Sequence, residues 1–418
     1  MSRSKHADLP LHYGKVPAWL ATRMSTLGRA IVEAIIMEYG QKELLQRLSD
    51  PLWFQSFGAV LGMDWHSSGI TTSVVGALKR AINPISKQLG LYVCGGRGKH
   101  SLKTPRELME VGMKTGLDGA ALGQSSRLVA KVDNTALQDG FNIYLHSFIV
   151  TKDGEWVVVQ QGLNAHNGYA RRYHWHSKEF QAYLDDPHSS ICGENQGLIL
   201  NLATAKADPT RKGILQVVNE HPTRIGKEVR KIRMPAHHDV KAKDVDKKRL
   251  GAVIASAYDQ SLHDFENLLL LKGVGPRTIQ SLTLVSEVIY GTPSRFEDPA
   301  RYSFAHGGKD GNPFPVPTKV YDETIRTLRH AVNRAKIGHS DKQRALKSLH
   351  DTAKSIEKDF VPNDNFDKLI EKEWAETHLF GGRSTLDDGD QRTLYEKRRR
   401  RPVQQQLKLF NGYNGREG

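Results

Sequence analysis

Between residues 17 and 48, apolar side chains recur three and four positions apart in "AIVEAIIMEYG" and "KELLQRLSD". That is the spacing of one helical face, and Gly40 closes the first of the two segments. The turn-rich stretch "FGAVLGMDWHSSGITTSVVGALKRAI" leads into another helix. "GLYVCGGRGKHSLKTPREL" reads as a short strand, a glycine loop and a helix start, with Thr104 as N-cap and Pro105 at the first helical position. From Arg127 to Trp175 the period drops to two. "NIYLHSFIV" and "EWVVVQQG" flank "TKDG", a hairpin turn. Helices followed by strands predict an α+β domain over residues 1–205 with a small, mostly antiparallel sheet. Residues 206–250 are charged ("KAKDVDKKR") and read as a connector. Residues 251–360 read as a helical domain. Residues 361–418, poor in large apolar side chains and rich in charge, read as a disordered tail.

The chain has 418 residues, and 38% of them are hydrophobic, enough for packed cores. No apolar run is long enough to span a bilayer, and "MSRSKHADLPLHYGK" lacks the apolar centre of a signal peptide. A cytoplasmic, nucleoid-associated protein with no membrane contact is expected. The two cysteines, Cys94 and Cys192, allow neither a disulfide framework nor a zinc finger. A formal net charge of +14 changes the picture most. A strongly basic chain commonly has a polyanionic partner, and nucleic acid is the commonest.

One segment gives that charge a purpose. "LLLLKGVGPRTIQSLTLVSEVIYG", residues 268–291, resembles the helix-hairpin-helix motif. Gly273 and Gly275 let the backbone turn tightly and approach another surface, and Val274 anchors the turn. Pro276 starts the second helix without wasting a donor. The N–H groups at that helix start, with Lys272 and Arg277 beside them, suit a phosphate. Lys272, Gly273, Val274, Gly275, Arg277 and Thr278 are therefore the expected DNA-binding set. Contacts of this kind grip the backbone without reading bases. The best-known glycosylases with this hairpin place a catalytic aspartate in a later "Pro-Val-Asp" turn; the comparable stretch here, "PFPVPTKV", has Pro317 and Thr318.

Near the C-terminus, after Arg398 to Arg401, stands "QLKLF". Gln406, Leu407, Leu409 and Phe410 resemble the peptide by which bacterial polymerases and repair proteins bind the sliding clamp. An extended peptide of this kind buries alternate apolar side chains in a groove, and the linker before it gives reach. The resemblance implies a bacterial source.

Several polar segments hold the candidate chemistry: "GMDWHSSGITT" (62–72), "CGGRGKHSLKT" (94–104), "SSRLVAKVDNTALQDGFNIYLHSF" (125–148), "VVVQQGLN" (157–164), "ARRYHW" (170–175) and "DDPHSSIC" (185–192). Together with "YSFAHGGKDGNPFPV" (302–316), they resemble the prokaryotic family DUF763, a family of unknown function, over nearly all of residues 8–340. The resemblance implies the helix-hairpin-helix and an intracellular setting, and no activity. Where the family is expected to have Tyr-His-His, this chain has Tyr144-Leu145-His146.

Read from the residues, Asp64, Asp133 and Asp139 with His66, His146 and His174 could hold a divalent metal, Mg²⁺ or Mn²⁺, against a scissile phosphate. Asp64, His66 and Asp139 are the metal candidates. Gln161 follows a strand, where it could face a metal or water, and Tyr173 joins the catalytic candidates. Lys131 or Lys99 could stabilise phosphorane charge, and Arg171 and Arg172 could clamp phosphate. A second reading needs no metal: Lys99 or Lys131 as the amine nucleophile of an abasic-site lyase or glycosylase. A third is a clamp-tethered DNA-binding adaptor without catalysis. The expected function is a metal-dependent nuclease in replication-coupled repair, recruited to DNA by the clamp.

Overall fold

The alternation between residues 142 and 176 builds the middle of a sheet. The strands are β1 (Leu9–Pro10), β2 (Leu91–Arg97), β3 (Leu137–Gln138), β4 (Asn142–Thr151), β5 (Trp156–Leu163), β6 (Tyr169–His176), β7 (Ser190–Cys192), β8 (Leu198–Asn201) and β9 (Phe296–Glu297). The main sheet has the order β1-β6-β5-β4-β2, with β7 also on β6, and every pairing is antiparallel. A second, three-stranded sheet runs β3-β8-β9. The computed structural model describes residues 9–10, 18–63, 68–164, 169–221, 224–225, 247–300 and 318–357. All of these belong to one unit, Met1–Pro362; a second unit, Asn363–Gly418, lies outside the described residues.

Helices cover both faces of the main sheet. They are α1 (Ala18–Ser49), α2 (Pro51–Val60), α3 (Gly69–Ile82), α4 (Ser86–Leu89), α5 (Thr104–Thr115), α6 (Gly119–Lys131), α7 (Asp208–Asn219), α8 (Lys247–Asp259), α9 (Phe265–Leu270), α10 (Pro276–Tyr290), α11 (Thr318–Arg334) and α12 (His339–Glu357). Leu145, Ile149, Val157 and Val159 of the sheet pack with side chains of α1, α2, α3, α11 and α12. The opposite face presents Tyr92, Phe148, Val150, Val158 and Trp175 to α5 through α10. The hairpin helices join the same apolar cluster as this face of the sheet by packing on α6, α7 and the turn after α6, and the fold is of the mixed helix-and-sheet class that the periodicity predicts.

Two local differences from the sequence reading have physical reasons. Residues 208–219 form α7 inside the stretch read as a charged connector, because Ile214, Val217 and Val218 recur at helical spacing and are fully buried. Thr104 is the first residue inside α5 and not its N-cap; its hydroxyl donates backwards to the Ser101 carbonyl at 2.7 Å. The break within α1 falls at Gly40, as its sequence predicts. Among the described residues, no helix is long and apolar enough to cross a membrane.

Candidate nucleic-acid interface

Asp264 opens α9 as its N-cap, accepting from the Asn267 N–H at 2.7 Å. Leu268 and Leu269 are buried, and the chain leaves the helix at Leu271. Gly273 then takes a φ of +94°, which a side chain would strain. The Val274 N–H donates to the Leu271 carbonyl at 3.1 Å, and Val274 is buried. Gly275 is extended and caps α10, whose first residue is Pro276. The first bond of α10 runs from Ile279 N–H to the Gly275 carbonyl at 3.0 Å, so the N–H groups of Arg277 and Thr278 precede the ladder. Lys272, Gly273 and Arg277 are exposed, whereas Thr278 is buried and its hydroxyl donates to the Gly273 carbonyl at 3.4 Å.

The first half of the chain braces this turn. Lys131 Nζ donates to the Val274 carbonyl at 2.6 Å. Gln138 Nε2 donates to the Pro276 carbonyl at 2.9 Å and to the Thr135 carbonyl at 3.0 Å. The carbonyls of the tip are therefore drawn inward. What remains outside is the donor end of α10 with two cations beside it, a polarity suited to an anion.

The polar residues of the sheet are sorted by its pleat. Gln160 pairs with His146 on one side and Tyr173 on the other, so these three face the α5–α6 layer. Gln161 pairs with Leu145 and Arg172 and faces the α1–α3 layer, together with His174. His146 and Tyr173 on one face are therefore separated by the sheet from Gln161, Arg172 and His174 on the other.

On the first face a relay of buried groups runs from α6 to Asp133. Gln160 Nε2 donates to Asp133 Oδ2 at 2.5 Å, which turns Gln160 Oε1 toward His146. His146 Nδ1 donates to that oxygen at 2.7 Å, and the Ser126 hydroxyl donates to His146 Nε2 at 2.8 Å. Burial holds His146 below the ordinary histidine range, consistent with this neutral tautomer. Asp133 sits on the π turn Val132–Ala136 that extends α6. It also accepts from Trp175 Nε1 at 3.0 Å and from His188 Nε2 at 2.6 Å. Both of its oxygens are thus taken by protein donors.

Asp139 is engaged in the same way. Its Oδ1 accepts from the Phe141 N–H at 3.0 Å, and its Oδ2 accepts from Arg171 at 2.9 Å and from the Tyr173 hydroxyl at 2.6 Å. Burial raises the Asp139 carboxyl, while Arg171 and Tyr173 pull it back down; Tyr173 is pushed well above its usual value, first by burial. The Arg171 guanidinium grips Asp298 through two bonds, at 3.1 and 2.9 Å. Arg171 is wholly buried, so its fork holds a carboxylate of the β9 segment where the sequence reading expects a phosphate.

Across the sheet, Arg172 is also wholly buried and donates to Gln55 Oε1 at 2.8 Å and to the Pro51 carbonyl at 3.2 Å. Its Nε donates to His174 Nε2 at 2.9 Å, leaving the His174 Nδ1–H to donate to the Leu48 carbonyl at 3.1 Å. Burial, then the Arg172 charge, hold His174 well below the ordinary histidine range. Gln161 Nε2 donates to the Ser68 carbonyl at 3.1 Å.

Lys99 is exposed on the 3₁₀ turn Gly98–Lys103. Asp64, His66, and the tail residues Gln406, Leu407, Leu409 and Phe410 lie outside the described residues. Among the described residues, no group of three or more His, Cys, Asp or Glu side chains is arranged to hold a metal ion. Ser126, Gln160, His188 and Asp298 complete the networks and are not among the candidates that the sequence suggests. Strict alternation along "VVVQQG" separates Gln160 from Gln161, while Asp298 is joined to Arg171 only by the tertiary fold.

The family model DUF763, described as a protein of unknown function, matches residues 5–316, which include the hairpin and both polar networks. No curated protein and no solved structure matches the chain.

Proposed function

The chain belongs to the DUF763 family, and we propose that it is a DNA-processing protein that grips the duplex backbone with its helix-hairpin-helix. The observation supporting this is the hairpin tip: Lys272 and Arg277 stand exposed beside the first turn of α10, while Val274 and Thr278 are buried beneath it. Recognition of this kind neutralises phosphates and is independent of base sequence. The test is fluorescence anisotropy on two labelled duplexes of unrelated sequence across a salt series. Binding should be alike on both, and the K272Q/R277Q variant should reduce the log–log salt slope by about 0.9 for each phosphate that it no longer neutralises. Equal binding by variant and wild type would remove the hairpin from the interface.

The sequence supports the rest of the proposal. Docking of Gln406 to Phe410 on the bacterial sliding clamp would tether the body to DNA. Metal-dependent cleavage, the preferred reaction, rests on Asp64 and His66, because Asp133 and Asp139 accept from protein donors at both oxygens. Asp64→Ala should therefore abolish Mg²⁺-dependent nicking of labelled DNA; full retained nicking would take Asp64 out of the reaction.

A further inference from the structure

We propose that the hairpin is one end of a longer phosphate-binding ridge, continued by the basic end of the α5–α6 pair, so that duplex DNA is held at two connected points. This rests on the hairpin reading above and extends its surface to residues that the motif does not include.

Helices α5 and α6 run antiparallel at very close range. A Cβ on Gly119 would come within 2.8 Å of Met109 Cα, and one on Gly123 within 3.4 Å of the Pro105 carbonyl oxygen. Glycine is what lets the two backbones approach. The crossing sets the beginning of α5, and the 3₁₀ turn before it, beside the C-terminal half of α6. That end of the pair is basic. Lys99, His100 and Lys103 are exposed on the turn, Arg106 is exposed on the first turn of α5, and Arg127 is exposed on α6.

Of this charge, the nearby acids offset only that of Arg106. Glu107 turns inward, accepting from Lys79 Nζ at 2.6 Å and from the Gly95 N–H at 2.7 Å, and Glu110 is matched to Arg106. Lys99, Lys103, Arg127, Lys272 and Arg277 take part in no ion pair among the described residues. Lys131 follows Arg127 by one helical turn and joins the two regions, since its Nζ bonds the Val274 carbonyl of the hairpin. Asp264 and Glu266 lie at the start of α9, away from the tip, with Glu266 beside Tyr183, which bonds Ser125 of α6.

The spacing suits a duplex. From the level of Gly123 to Lys131, α6 rises about 12 Å at 1.5 Å per residue. That corresponds to roughly three to four base-pair steps along one strand at 3.4 Å each. A ridge of that length beside the hairpin offers further phosphates to Lys103 and Arg127 once the hairpin has taken the first.

The test uses the full chain, a 30-base-pair duplex of arbitrary sequence, and anisotropy at several salt concentrations. The variant K99Q/K103Q/R127Q should bind at least tenfold more weakly at low salt, with a salt slope smaller by about 0.9 for each phosphate left unneutralised. The charge-preserving K99R/K103R/R127K should bind like wild type. If the glutamine variant keeps wild-type affinity and slope while K272Q/R277Q loses both, the ridge is wrong and the hairpin reading stands. If wild type shows no salt-dependent binding, or K272Q/R277Q binds like wild type, the hairpin reading fails and the ridge with it. Equal weakening in the charge-preserving and glutamine variants would also overturn the ridge, since charge would not be the cause.

Discussion

Arg171 and Arg277 carry the same guanidinium into opposite settings. Arg171 lies wholly buried between Asp139 and Asp298, with its fork closed on carboxylates of the protein itself. Arg277 stands exposed on the first turn of α10, beside a helix start whose dipole favours an anion. In sequence both look like phosphate ligands. In the fold, one is closed on carboxylates of the chain itself and the other is open to solvent. Burial decides which, because a buried cation must be neutralised before any ligand arrives, whereas an exposed one keeps its hydration until something replaces it.

The sharpest way to break this comparison is to remove the buried guanidinium. Arg171→Ala leaves Asp139 and Asp298 facing each other without a cation, and should cost about 3–5 kcal/mol in a urea unfolding experiment. Arg171→Lys should recover little, since an ammonium cannot reproduce the fork on Asp298. A near-wild-type midpoint for Arg171→Ala would mean that the clamp is not structural and would reopen a ligand role. A smaller effect follows at Asp133. Asp133→Asn sets an amide N–H₂ among three donors, from Gln160, Trp175 and His188, and should cost roughly 1–3 kcal/mol by the same measurement.

The sequence makes the hairpin more legible than the polar networks, and the reason is range. Every feature of the hairpin is local: two glycines, an anchor between them, a proline and a threonine within six residues, each explained by the turn itself. The helix and strand periods are legible for the same reason. The networks depend on pairings between distant segments. Arg171 meets Asp298 only because β9 joins the second sheet, whose Leu137 and Ile199 pack with Tyr173 and Ile191 of the first. Adjacent residues also mislead. Arg171 and Arg172 look like a single clamp until the pleat sends them to opposite faces, where they serve two separate networks. Asp133 and Asp139 look like paired carboxylates, but each faces a different cluster of donors.

The same networks should respond to pH. Burial holds both His146 and His174 below the ordinary value of about 6.5, so between the folded and unfolded values the native state binds fewer protons than the unfolded chain. Their stabilisation is therefore complete above about pH 6.5 and declines as pH falls below it, by up to about 1.4 kcal/mol per pH unit for each histidine. The raised Asp139 carboxyl acts in the opposite sense, but only between the ordinary carboxylate range and its own raised value. Urea midpoints for wild type should fall from pH 7 to pH 5.5, and His174→Gln should flatten that slope. An unchanged slope in the variant would mean that His174 is not the buried neutral group described.

The smallest effect on stability should come from the hairpin charges, and it completes the comparison. Lys272 and Arg277 are exposed and take part in no ion pair among the described residues, so K272Q/R277Q should shift unfolding by no more than about 0.5 kcal/mol. The same variant should bind DNA more weakly and with a shallower salt slope. Arg171→Ala should do the reverse at a temperature where it remains folded, unfolding more easily while keeping the salt slope of wild type. The two variants together separate a cation that holds the chain from cations proposed to hold a partner. If K272Q/R277Q destabilised the fold as much as Arg171→Ala, the hairpin charges would belong to the architecture. Measuring urea midpoint and salt slope on the same preparations decides this, because a purely structural defect moves the first and a purely electrostatic one moves the second.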